Sequence, residues 1–165
     1  MAETSNDKPL RYFVDSNIIG YVIQAKPLGF AYLDLMEQMG DMLPSVSTTV
    51  VNEITAGLAG LDRASHEQRR LADAMSDGMA MFEVVPIDRA TVTIAKELKR
   101  HARRVGHPVG AESQRSDLDI EALAIRHHAP LISHNYRDFV NIDALDLRTL
   151  AHIKKNPPRI AHLFD

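Results

Sequence analysis

The stretch SDLDIEALAIRHHAPLISHNYRDF, residues 116–139, runs from a charged start through an apolar helix into a short apolar strand. Leu118–His127 is apolar on most sides, which predicts a buried helix. Pro130–Ser133 then reads as a strand. A helix feeding a strand in this way is part of a βαβ unit, and such units build a mostly parallel sheet. Polar groups bracket the pair. Asp117 opens the helix, and Asn135 and Asp138 follow the strand.

The rest of the chain repeats the pattern. Leu10–Val14, Leu43–Ser47, Met81–Val85 and Leu145–Thr149 read as further strands. Helices are expected over 17–25, Phe30–Met39 (with Leu33, Met36 and Glu37 at helical spacing), Thr48 or Thr49 to Leu58, 62–78 and Ile87–Arg104. Pro27 and Gly29 read as a break between the first two. Val92, Ala95, Leu98 and Ala102 should face inward on the fifth. Residues 106–115 read as a polar loop, 1–9 as a loose start and 151–165 as a C-terminal tail. The expected organisation is one domain over 1–150, an α/β fold with helices on both faces of the sheet.

In parallel sheets ligands gather at the carboxyl ends of the strands. The polar groups of interest sit at or just beyond those ends, or at the start of a helix nearby. Asp15 ends strand one in RYFVDSN, residues 11–17, and Glu53 follows strand two in STTVVNEITAGL. Asp117, Asn135 and Asp138 complete the set. Each has a structural alternative. Asp15 could cap the next helix. Ser116–Asp119 and Asn135–Asp138 have capping-box spacing, and Asp117 suits the start of a helix dipole. Glu53 fits no capping position. At about 100° per residue, Asp117 and Glu121 share a helix face, while Asp119 falls about 200° away and is expected to face solvent.

Converging carboxylates repel and would retain protons at neutral pH unless a cation offsets them. Oxygen donors without cysteine favour Mg²⁺, or Mn²⁺, over Zn²⁺. The chain has no cysteine, so disulfides and thiolate chemistry are excluded. Its longest apolar runs are too short to span a bilayer, no apolar signal core opens it, and a cytoplasmic location is expected. The net charge of −3 argues against coating nucleic acid by bulk charge. One local patch departs from that balance. KELKRHARR, residues 96–104, carries five cations against Glu97. It is either a solvated face or a phosphate contact.

These residues resemble the PIN-domain ribonucleases, and among them the VapC-like toxins of bacterial toxin–antitoxin pairs. The likeness runs from about Tyr12 to Phe139. FVDSNII resembles the family's first motif, STTVVNEITAGL the second, and residues 116–139 the third and fourth together. The resemblance implies a three-layer α/β/α sandwich and Mg²⁺-dependent cleavage of RNA by an activated water. It implies that Asp15 and Asp117 bind the metal, that Glu53 acts through water, and that Asn135 and Asp138 complete the pocket. Ser16, Asn17 and Ser133 would support these groups by hydrogen bonds. His134, and less strongly Arg115 and Ser116, would touch substrate. A homodimer and a cognate antitoxin are implied as well. Asn135 stands where many members hold Asp, and Glu121 where the family usually has a small residue. Two other readings remain: an RNA-processing nuclease without antitoxin, and a non-catalytic PIN-like RNA- or protein-binding module.

Overall fold

The computed structural model describes residues 10–62, 64–107, 115–139 and 145–148. The loose start, most of the 106–115 loop and the expected tail lie outside them. In chain order the elements are β1 (Arg11–Val14), α1 (Ser16–Ile23), α2 (Pro27–Glu37), β2 (Leu43–Ser47), α3 (Thr48–Ala59) and α4 (His66–Met79). There follow β3 (Glu83–Val85), α5 (Arg89–Arg104), α6 (Arg115–His127), β4 (Leu131–Ile132), a 3-10 turn (Tyr136–Asp138) and β5 (Leu147–Arg148).

The five strands form one sheet in the order β3-β2-β1-β4-β5. Every pairing is parallel, with Phe13 opposite Ser45 on one side and Leu131 on the other. Parallel strands are covered on both faces, so they read as continuous apolar runs. Tyr12, Phe13, Val14, Val46, Leu131 and Ile132 are accordingly buried. The chain steps outward from β1 to β3, then returns past β1 to β4. Right-handed crossovers therefore place α1–α4 on one face and α5 and α6 on the other. The direction reverses between β1 and β4, and a crevice opens at the carboxyl ends of strands at such a reversal.

The break expected at Pro27 and Gly29 is instead the first turn of α2. Proline is favoured there because its missing N–H has no helical partner at that position. The buried stripe of α2 is Gly29, Tyr32 and Leu35, rotated from the Leu33–Met36 face read in the sequence. Gly29 lets α2 cross α1 at backbone contact. A Cβ on it would stand 2.2 Å from the Tyr21 carbonyl oxygen, and backbone there cannot yield cheaply. Gly29→Ala is expected to destabilise the protein by about 2–3 kcal/mol, measured by chemical denaturation. On α5, Leu98 and Ala102 are buried as expected, while Thr91 is buried and Val92 and Ala95 are only half-buried.

Candidate active site

β1 ends with Val14 buried, and Asp15 turns the chain into α1 with extended backbone angles. Its Oδ1 accepts the Ser16 N–H at 2.7 Å, so it does cap the helix. Its Oδ2 accepts the Ser133 hydroxyl at 2.9 Å, across 118 residues of chain. That bond sits at the β1–β4 reversal. Ser133 Oγ in turn accepts the Asn135 N–H at 3.3 Å. Burial pushes the Asp15 carboxyl pKa up, against the two hydrogen bonds, and the charges of Glu53 and Asp138 push it the same way.

Asp117 lies in the first turn of α6. Its pKa is pushed up to about 7, first by burial and then by Asp15, Asp138, Glu53 and Glu121. The four expected acids therefore act on one another, although they come from β1, α3, α6 and the turn after β4. Glu53 is exposed on α3, as a residue outside any capping role should be. Asn135 joins through its backbone; it precedes the 3-10 turn, makes no side-chain cap bond, and is exposed. Ser16 contributes its N–H. Asn17 Oδ1 is buried with no hydrogen-bond partner among the described residues. Ser116 is half-buried in the same turn as Asp117, and the Arg115 side chain lies outside the described residues.

One acid is placed differently from the helical-wheel reading. Asp119 does not face solvent; it is buried, and its Oδ2 accepts the Thr49 hydroxyl at 3.3 Å. The angle was sound, but the first turn of α3 packs against that side of α6. Glu121 is fully buried. It enlarges the acidic cluster where the resembled family has a small residue.

Tyr32 is a contributor that the sequence did not mark. It is fully buried on α2, and its hydroxyl lies 2.9 Å from His134 Nδ1 and 3.4 Å from the Ser133 carbonyl oxygen. The His134 ring meets the rings of Tyr21 and Tyr32 edge-on, each at 5.9 Å. His134, immediately after the residue that anchors Asp15, is thereby held on two aromatic walls. A buried tyrosine in an amphipathic helix carries no sequence signal for the partner of its hydroxyl.

The donor set is oxygen-rich and suits a hard divalent cation. The raised carboxyl pKa values of Asp15 and Asp117 mark a pocket short of positive charge. Among the described residues no three acid or histidine side chains form a ready metal-holding group. Mg²⁺ does not require one, since it keeps several waters and binds through one or two carboxylates. Asp15 and Asp117 are the pair that would suit such a cation, and each Asp15 oxygen retains a second lone pair beside its hydrogen bond.

Comparison with known proteins bears on the fold and the family. No curated protein matches the chain in sequence. Among solved structures, the chain is similar to VapBC2 from Rickettsia felis bound to a promoter DNA fragment, with TM-score 0.67 and 20% identity over 85% of this chain and 98% of that one. DNA-bound VapBC from Salmonella typhimurium aligns with TM-score 0.66 and 18% identity, over 85% and 98%. VapBC-1 from nontypeable Haemophilus influenzae gives 0.64 and 22%, over 85% and 98%. At such identities these structures speak for the fold. The family itself follows from a sequence match, because the PIN domain model spans residues 12–145, from β1 to the approach to β5, and the chain belongs to the PIN domain family.

Proposed function

We propose that this protein is a Mg²⁺-dependent endoribonuclease and the toxin of a toxin–antitoxin pair. The observation that carries the reading is the convergence of Asp15, Glu53, Asp117 and Asp138 at one rim of the sheet. Family membership and the toxin–antitoxin complexes among the structural neighbours support it.

A divalent cation held by Asp15 and Asp117 would supply Lewis acidity to the scissile phosphate and lower the pKa of water. The chain's own residues do the rest. Ser133 and the Ser16 N–H fix the Asp15 carboxylate, so its charge needs no reorganisation during reaction. Glu53, exposed at the rim, orients the attacking water and takes its proton as oxygen bonds to phosphorus and the leaving oxygen departs. Asp138 adds negative charge that favours cation retention. His134, held by Tyr32, supplies a hydrogen-bonding edge to substrate.

An antitoxin can silence such a pocket with one Arg or Lys, whose cation replaces the metal's charge among the carboxylates. A homodimer is the assembly we expect. Incubation with RNA tests the core of the reading. Cleavage is expected with Mg²⁺ or Mn²⁺ and is expected to stop in EDTA. Undiminished cleavage in EDTA would refute metal dependence, and no cleavage under any condition would favour a binding module.

A further inference from the structure

The helices α5 and α6 form an antiparallel hairpin. Leu98 and Ala102 of α5 share an apolar cluster with Leu118 and Ala122 of α6. At the other end, Arg126 near the close of α6 pairs with Asp88, the cap of α5, at 2.6 Å. The end of α5 bearing Arg103 and Arg104 therefore lies beside the end of α6 bearing Asp117.

Opposite its apolar side, α5 presents Lys96, Arg100, Arg103 and Arg104 to solvent, with Lys99 half-buried on the flank. Glu97 is engaged by Arg100. Among the described residues Lys96, Lys99, Arg103 and Arg104 have no ion-pair partner. Cations in the last turn suit the helix dipole, which accounts for Arg103 and Arg104. It does not account for Lys96 and Lys99, more than a turn earlier. Like charges three or four residues apart on a helix repel, a cost that a polyanion removes. The chain is otherwise net acidic, and its pocket repels phosphate. A substrate rich in phosphate needs a local cationic track to approach it.

We propose that the solvent face of α5 over residues 96–104 holds the phosphate backbone of the RNA beside the acidic pocket. The proposal rests on the nuclease reading and adds the binding surface to it. The track is about 12 Å long, enough for a short run of phosphates. Contacts of this kind give affinity and no sequence preference.

The test replaces Lys96, Lys99, Arg103 and Arg104 together with Gln, a good helix former that keeps the fold. A control replaces Lys26, Arg69 and Arg70 with Gln, removing three exposed cations from elsewhere on the surface. Binding of a labelled single-stranded RNA oligonucleotide is measured on the full chain in EDTA, across a salt series. The α5 variant should bind ~10–100-fold more weakly at low salt, and its log–log salt slope should shrink by about 2–3. The control should change by less than about threefold, and with Mg²⁺ the α5 variant should show a raised KM with kcat retained. Wild-type affinity and slope in the α5 variant would overturn the proposal, as would an equal loss in the control. Retained RNA affinity with loss of a partner protein would give the face to that partner and overturn it too. If the wild type binds RNA through α5 yet never cleaves it with Mg²⁺, the track stands and the nuclease reading falls.

Discussion

Replacing Asp15 with Asn is expected to reduce RNA cleavage by at least ~100-fold while leaving the protein folded. The substitution keeps the shape of the side chain and an oxygen to accept the Ser16 N–H. The serine hydroxyl of residue 133 can rotate to accept from the new amide. What disappears is a negative charge in the acidic cluster, and with it one ligand of the proposed metal site. Removing a desolvated charge relieves repulsion with Glu53 and Asp138, so the melting temperature in EDTA should stay level or rise. Sequencing of RNA ends after controlled expression, beside a thermal melt of each protein, reads both quantities. Normal cleavage by the variant would remove Asp15 from the mechanism. Lost cleavage with a lowered melting temperature would make its role structural.

The second large effect is on stability. Asp117 has its pKa pushed up to about 7, and that of Asp15 is raised as well. An unfolded chain releases these protons near the ordinary carboxylate value of about 4. Between the two values the folded state binds more protons than the unfolded state, so stability falls as pH rises. The metal-free protein should therefore be less stable at about pH 7.5 than at about pH 5. The Asp117 share is about 1–2 kcal/mol after allowance for solvent screening of a partly exposed group. Mg²⁺ should flatten the slope by offsetting the carboxylates, and Asp117→Asn should remove most of it without metal. Denaturant midpoints at the two pH values provide the measurement. A stability that increased across this window would mean that the acids do not share a pocket.

Much of this architecture is legible in the sequence because a parallel sheet imposes simple patterns. Strands covered on both faces must be apolar runs, so RYFV and PLIS announce themselves, and polar residues at their carboxyl ends stand out. Asp15 and Asp138 stand out that way, and Glu53 and Asp117 by their place near helix starts at the same rim. The failures lie where the answer depends on a neighbour distant in the chain. A helical wheel gives the direction of Asp119 but not that the first turn of α3 occupies it. Pro27 and Gly29 look like a break until α1 requires a backbone-close crossing at that point. Tyr32 reaches His134 across 102 residues, and nothing local to either residue sets that meeting.

The bond between Asp15 and Ser133 has a further consequence for a protein made from its amino end. Strand β1 is synthesised before β4, and the hydroxyl that orients its terminal acid emerges 118 residues later. Until β4 leaves the ribosome and slots in beside β1, the pocket lacks one wall and Asp15 lacks the Ser133 hydroxyl. On the proposed function, a growing chain is harmless to the RNA that surrounds it. Activity arrives only after β4 has been made and seated, a delay within which a co-translated inhibitor can be waiting.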